Sequence, residues 1–318
     1  THMAVTLKDI ANACGVSYST VSKALKNSPL VTAETTERIQ QKAKEMNYIP
    51  NNSARSLVSN KSQTIGLIWP SVDRVAVSTL VSEINNFLKN TGYFMSVSID
   101  DVETAAHKFL ELRFDGIIVF DEGEASTLPS IISSNIPVVA YGTDRKLEYP
   151  IVNVNHKHAM ILSLDDLMQN NITNICYIGD LNTDDIRQII KKETFEHYCK
   201  EHHLNYNMID SKGLSAEDTF FALKSYLTNH TLPEGIICGS YDITLGLIHT
   251  LKDSLDQHIV YSYDNVPQFD HMDTVIHSVG VPTKKIAETL VNILINAIEY
   301  KENQPDVYHL EPELVKRK

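Results

Sequence analysis

No stretch of this 318-residue chain is apolar for long enough to cross a bilayer, and no charged-then-apolar leader opens it. No membrane partner is expected, and the compartment expected is the cytoplasm. Cysteine is scarce. Its four copies (Cys14, Cys176, Cys199 and Cys238) are scattered, with no C-x-x-C pair. That spacing argues against a disulfide framework or a zinc site and fits reduced thiols. Catalytic signatures are missing too: there is no G-x-S-x-G, H-E-x-x-H, P-loop or G-x-G-x-x-G. Paired acids such as Asp184-Asp185 read as helix-start residues, so no enzyme and no cofactor are expected. His197, Cys199, His202 and His203 cluster near one helix end, where histidine favours the helix dipole. That cluster and the pair His156 and His158 are not expected to hold metal.

The net charge of -12 also speaks against nucleic acid, until its distribution is read. Residues 1–62 hold eight basic and four acidic side chains, a net of +4, which leaves -16 for the remainder. A small basic module on a large acidic body is the asymmetry of a regulator whose body repels DNA while its head binds it. Thr1 and His2, ahead of Met3, read as a cloning remnant, and the length suggests about two domains.

Three short helices follow from caps and spacing in the first fifty residues. Thr6 precedes Leu7, Ile10, Ala11 and Cys14, and Thr6-x-x-Asp9 forms a capping box. Gly15 stops this helix. Ser17 caps a second helix carrying Val21, Ala24 and Leu25. Thr32 caps a third, with Ile39, Ala43 and Met46 on one face, ending near Asn47 ahead of Pro50. Ala11, Gly15 and Val21 have helix-turn-helix spacing: a small residue for close approach, a glycine for the turn, a branched residue as the lock. The second helix then shows Tyr18, Ser19, Thr20, Ser22 and Lys23 to solvent, side chains that reach bases and phosphates.

The run Val5-Thr-Leu-Lys-Asp-Ile-Ala-Asn-Ala-Cys-Gly-Val-Ser-Tyr-Ser-Thr-Val-Ser-Lys-Ala-Leu resembles the headpiece of the LacI/GalR family of bacterial regulators. The likeness continues through Val31-Thr-Ala-Glu-Thr, Asn47-Tyr-Ile-Pro-Asn, Ala54-Arg-Ser-Leu57 and Thr64-Ile-Gly-Leu. The resemblance implies that Tyr18 and Ser19 read major-groove bases, with Lys23 one turn on. It implies that Thr6, Ser17, Thr20, Ser22, Asn27, Thr32 and Thr35 touch phosphates or cap helices that do, and it adds Tyr48 to the DNA-binding set. Asn51 to Leu57, with Ala54 and Arg55, would be a hinge helix that folds on the operator, and Leu57 would wedge into the minor groove. Cys14 stands where the family usually has alanine, and Lys23 where many members have arginine, which makes the better fork to guanine.

From Ser62 short apolar runs alternate with helical segments. Ile65-Gly-Leu-Ile-Trp, Phe94 to Ile99, Gly116 to Phe120 and Pro137 to Tyr141 read as strands, with helices near 77–91, 103–112 and 126–134. A second series follows: Ile175 to Ile178, Gly235 to Cys238 and Ile259 to Tyr263, with helices near 185–203, 215–229 and 242–254. Two successive β/α sets imply two parallel-sheet, Rossmann-like lobes. The fold class expected is therefore an all-α helix-turn-helix headpiece plus an α/β two-lobed core, which resembles the periplasmic-binding-protein-like core of the same family. The resemblance implies three crossings between lobes, near 155–160, 278–282 and 301–306. It gives a headpiece over 4–50, a hinge and linker over 51–62, and a core over 63–318. Within the core the first lobe spans about 63–157 and 281–303, the second about 158–280 and 304–318.

Ligands of open α/β sheets bind beyond the carboxyl ends of strands. That rule nominates Ser71, Asp73, Asp121, Tyr141, Ser240, Tyr241 and Asp264 as effector contacts, with Arg187 and Lys191 from the long helix. Asp264 falls at the family position that commonly holds an effector hydroxyl, and Tyr241 or Tyr263 can cover a sugar face. The core departs from the family pattern at Lys191, Thr194-Phe195 and Ser240-Tyr241, and lacking a clear arginine clamp it favours a neutral sugar over an acid or phosphate. The resulting expectation is a repressor that binds operator DNA as a homodimer under control of a sugar-like effector. A dimer is favoured over a tetramer because Glu313 to Lys318 carries no leucine-repeat tail. A solute-binding or carbohydrate-acting protein sharing only the core fold, and a regulator answering a phosphoprotein or nucleobase, are the alternatives.

Overall fold

The computed structural model describes residues 5–50, 61–121, 134–142, 148–301 and 306–318. It forms two compact units, Thr1–Ser62 and Gln63–Lys318. Among the described residues no helix is long and apolar enough to cross a membrane.

The small unit holds α1 (Leu7–Cys14), α2 (Tyr18–Ala24) and α3 (Ala33–Glu45). Each start is fixed by a hydroxyl. Thr6 accepts from the Asp9 amide while the Asp9 carboxylate accepts from the Thr6 amide at 2.8 Å, which closes the expected capping box. Ser17 accepts from the Thr20 amide and Thr32 from the Thr35 amide. Gly15 takes the left-handed conformation (φ 63) that ends α1, so the turn into α2 needs no strained side chain. Ile10, Ala11, Val21, Ala24, Ile39 and Ala43 form the buried core, so Ala11 and Val21, the helix-turn-helix positions, are buried in one cluster.

The large unit is two six-stranded sheets. The first runs β11-β5-β4-β3-β1-β2, all parallel: β1 Thr64–Ile68, β2 Phe94–Ser98, β3 Gly116–Phe120, β4 Val138–Gly142, β5 Ile151–Val154 and β11 Val307–Leu310. The second runs β12-β10-β9-β8-β6-β7: β6 Asn174–Gly179, β7 Asn205–Asp210, β8 Gly235–Cys238, β9 Ile259–Asn265, β10 His277–Pro282 and an antiparallel edge strand, β12 Glu313–Val315. Helices α4 (Val75–Leu88), α5 (Val102–Glu111) and α10 (Thr283–Tyr300) pack on the first sheet. Helices α6 (His156–Gln169), α7 (Ile186–Glu201), α8 (Ala216–Tyr226) and α9 (Tyr241–Leu251) belong to the second lobe. Strands buried on both faces are nearly all apolar, as Ile65, Leu67, Ile117, Ile118 and Val119 show.

The expected strands and helices are present within a few residues, and the helix expected over 126–134 falls almost wholly outside the described residues. Five strands (β5, β7, β10, β11 and β12) were not anticipated. One expectation is corrected. The third crossing lies not near 301–306 but at residues 311–312, because β11 pairs in parallel with β5 and returns Val307–Leu310 to the first lobe. Only β12 then adds to the second sheet, against β10.

Ile10 is wholly buried in a core of few side chains. Ile10→Ala should therefore cost the headpiece about 2–5 kcal/mol, enough to unfold a domain this small. Differential scanning calorimetry should show the headpiece transition lost and that of the core unmoved.

Candidate functional site

The headpiece presents one polar surface. Tyr18 is 57% exposed, and Ser19, Lys23 and Asn27 are exposed beside it, with Thr20 and Ser22 half-buried. The Ser17 hydroxyl lies 2.8 Å from the hydroxyls of both Ser19 and Thr20, so it caps α2 and also orients its first turn. Asn27, in the left-handed region, accepts from Gln40 of α3 at 2.7 Å, and the same Gln40 amide reaches the Ala24 carbonyl. That tie holds the end of α2 against α3. Thr6 and Thr32 act as caps, and Thr35 accepts the Thr32 hydroxyl. Tyr48 packs half-buried against the headpiece core. Asn51, Ala54, Arg55 and Leu57 lie outside the described residues.

In the core a cavity opens at the carboxyl ends of both sheets. Its lining includes Phe120, Tyr141 and Val154 from the ends of β3, β4 and β5, and Tyr263, Asp264 and Asn265 from the end of β9. Arg74, at the N-cap of α4, comes from the first lobe, while Arg187, Gln188 and Lys191 come from α7 of the second. Trp69 backs the first-lobe wall, stacked on Tyr141 with centroids 6.5 Å apart and edge-on to Phe120 at 5.0 Å. Two hydrogen bonds join the lobes nearby: the Val75 amide donates to the Asp242 carboxylate at 3.1 Å, and Gln268 donates to the Thr79 hydroxyl at 2.9 Å.

The charges are arranged unevenly. Arg187 is held by Asp185 through two bonds of 2.9 and 3.0 Å, and its guanidinium lies 4.6 Å from the Phe120 ring centre. Lys191 is 4% exposed. Its ammonium donates to the Gly239 carbonyl at 2.8 Å and sits 4.3 Å from the Tyr263 ring centre. Burial lowers its pKa to about 8; Asp264 and Asp185 oppose that shift, and Arg187 and Arg74 add to it. Asp264, at φ 74, accepts the Tyr241 amide at 2.9 Å. His156 is held well below the ordinary histidine range by burial and then by Lys191 and Arg187, so its imidazole is neutral. Among the described residues His156 Nδ1 and Gln188 Oε1, both buried, have no hydrogen-bond partner.

Of the nine effector contacts read from the sequence, Tyr141, Arg187, Lys191 and Asp264 line this cavity. The other five do not. Ser71 instead accepts from the Asp73 amide in an exposed turn. Asp121 is buried outside the lining, its amide donating to the Tyr141 carbonyl between β3 and β4. Ser240 spends its hydroxyl capping α9, and Tyr241 turns into the second-lobe core against Phe269 at 4.8 Å, so that of the two tyrosines expected to cover a sugar face only Tyr263 lines the cavity. Arg74, Phe120, His156, Gln188, Asn265 and Thr283 were missed as contacts. Gln188 was findable, because 187, 188 and 191 share one helical face. His156 and His158 part company: His156 lines the cavity, and His158 pairs with Glu311 at 2.6 Å.

The depressed Lys191 pKa has a stability consequence. Between about 8 and the ordinary 10.5 the unfolded chain keeps a proton that the folded core has released, so stability rises with pH across that window. The parent protein should gain about 3 kcal/mol relative to Lys191→Met over that interval. Urea unfolding of both proteins at each end of the window measures it, and an unchanged difference would show an ordinary, hydrated lysine.

Comparison with known proteins agrees with both units. Residues 6–51 match the bacterial regulatory proteins of the lacI family, and residues 164–318 match the periplasmic binding protein-like domain. Catabolite control protein A of Staphylococcus epidermidis is 28% identical over 266 residues, covering 79% of this chain and 78% of that protein. The HTH-type transcriptional repressor PurR of Aliivibrio fischeri is 25% identical over 331 residues, covering 98% and 97%. Among solved structures, a lac repressor dimer bound to operator and the anti-inducer ONPF has a TM-score of 0.79 at 22% identity, covering 99% of both chains. A complex of the transcriptional regulator CelR with cellobiose has a TM-score of 0.66 at 17% identity, covering 98% of this chain and 99% of that one. These curated relatives are transcriptional regulators and not enzymes. With a lacI-family headpiece over residues 6–51 ahead of a periplasmic binding protein-like domain over residues 164–318, the chain has the domain make-up of a LacI-type DNA-binding regulator.

Proposed function

We propose that this chain represses a carbohydrate-utilisation operon, binding a pseudo-palindromic operator as a homodimer in the cytoplasm and changing its grip when a sugar-like effector occupies the cleft. The cavity lining carries the effector half of this reading. Asp264, Asn265, Gln188, His156 and Thr283 supply hydrogen-bonding groups, and Phe120, Tyr141 and Tyr263 supply apolar walls. That mixture suits a ring with hydroxyls around it and carbon on its faces. The CelR structure, with its cellobiose, supports it by likeness of fold.

The DNA half rests on α2. Tyr18 and Ser19 would read bases in the major groove, Lys23 would reach one turn further, and the capped helix starts at Thr6, Ser17 and Thr32 would set the headpiece on the phosphates together with Thr20, Ser22, Asn27, Thr35 and Tyr48. Asn51 to Leu57, including Ala54 and Arg55, would form the hinge helix on the operator, with Leu57 as the wedge. The likeness to a lac repressor dimer supports the homodimer, as do the exposed apolar residues Phe94 and Val97 on the edge strand β2 and Phe221 on α8. Effector binding in a cleft built from both lobes would bias their closure and so the spacing of the two headpieces.

Selection of bound fragments from the source genome, at roughly physiological salt, should enrich a palindrome beside transport or catabolic genes. Enrichment without symmetry, or beside genes unrelated to carbohydrate, would contradict the proposal. On the selected site Lys23→Ala should change preference at one base-pair step by about 1–3 kcal/mol, whereas uniform weakening across all sequences would make Lys23 a phosphate contact. Leu57→Ala should weaken the specific site alone, and an unchanged affinity would remove the minor-groove wedge.

A further inference from the structure

Among the described residues three cations, Arg74, Arg187 and Lys191, line the cleft against one lining carboxylate, Asp264. Asp185 is forked onto Arg187, and Asp242, outside the lining, accepts the Val75 amide and lies within the field of Arg74. Asp264 already accepts the Tyr241 amide and, among the described residues, is the one carboxylate lining the cavity. Against it stand Arg74 from the first lobe and Lys191 from the second. The Arg74 side chain has no hydrogen bond or ion pair among the described residues. The Lys191 ammonium uses one proton on the Gly239 carbonyl and lays one face on the Tyr263 ring, which leaves donor capacity toward the cavity.

A buried ammonium without a paired anion is costly, and structural lysines are seldom kept that way. Arg187 shows how the same cleft treats a structural cation, by forking it onto a carboxylate. Among the described residues Lys191 and Arg74 have no carboxylate in hydrogen-bond contact, only the longer-range attraction of Asp264 and Asp242, and they approach the cavity from opposite lobes. The lining also carries two unpartnered buried atoms of a different kind. Gln188 Oε1 accepts only, so it needs a donor, which an anion cannot be; a hydroxyl can. Neutral His156 leaves Nδ1 in want of a partner beside it.

We infer that the effector of this cleft is a hydroxylated anion, its carboxylate or phosphate group bound by Arg74 and Lys191 and its hydroxyls bound by Gln188, His156 and Asp264. The inference deepens the reading of the cleft as an effector site and rests on it. It also gives the anion a mechanical role, because a group held by one cation from each lobe draws the lobes together. Only a ligand that discriminates between open and closed forms can shift their balance, and this one does so through charge.

Two matched pairs test it on the full chain by isothermal titration: glucuronate against glucose, and fructose 1-phosphate against fructose. At least one anion should bind about 10-fold or more tightly than its neutral parent, since a hydrogen bond to a charged group contributes that much, and the pair that responds separates carboxylate from phosphate. Arg74→Ala should erase most of that preference, and Arg74→Lys should restore part of it. Neutral parents that bind as well as the anions would overturn the inference. So would a preference that survives Arg74→Ala, or no anion binding at about 10 mM by a chain whose melting curve is intact. Gln188→Ala tells the two readings apart. A neutral sugar weakened by Gln188→Ala leaves the cleft reading standing and removes the charge. A ligand indifferent to both Gln188→Ala and Arg74→Ala binds elsewhere, and both readings fall.

Discussion

Lys191 is a charge kept dry. Its ammonium is enclosed by the end of β9, the Gly239 carbonyl and the Tyr263 ring, and burial costs it part of its basicity. The neighbouring groups follow from the need to tolerate that charge. Arg187 is neutralised by its own Asp185 and adds no net charge to the site. Asp264 stands at the strand end in a left-handed conformation that aims its carboxylate at the start of α9. His156 answers by staying neutral. A buried ammonium without a hydrogen-bonded carboxylate costs stability.

The same site lies where the two lobes meet. Two parallel sheets present their carboxyl ends to it, three chain crossings connect them, and the Val75–Asp242 and Gln268–Thr79 bonds join them beside the cavity. Among the described residues few polar contacts bridge the lobes, the Val75–Asp242 and Gln268–Thr79 bonds among them. The headpiece is the opposite case. Three capped helices around six small or branched apolar residues leave it little freedom, and its polar face on α2 is prepared before any DNA arrives.

The headpiece was legible because its signals are local. A hydroxyl at each helix start, a glycine at the turn and three spaced apolar residues give its fold directly. The core was legible in class but not in detail. Val307–Leu310 forms an exposed edge strand too short and mixed to stand out, and only its pairing with Ile151–Val154 moves the third crossing to residues 311–312. Asn205–Asp210 alternates between polar and apolar residues and is only partly buried, so it lacks the apolar run that marked its neighbours. At the cleft, the strand-end rule found the right loops and the wrong side chains. Ser240 and Ser71 are consumed by local caps and turns, which compete for short hydroxyls wherever a chain reverses. The preference for a neutral sugar came from the missing family arginine at position 191. The sequence offered no sign that Arg74, 117 positions away along the chain, lines the same cavity.

The central claim is that occupancy of this cleft and the grip on the operator are one coupled equilibrium. Reciprocity tests it without reference to any pathway for the coupling. Operator affinity is measured with and without a saturating cleft ligand, and ligand affinity with and without saturating operator. The two ratios should be equal, should differ from one, and should return to one when Arg74 and Gln188 are replaced together by alanine. Ratios of one in the parent protein, or ratios that survive that double replacement, would contradict it.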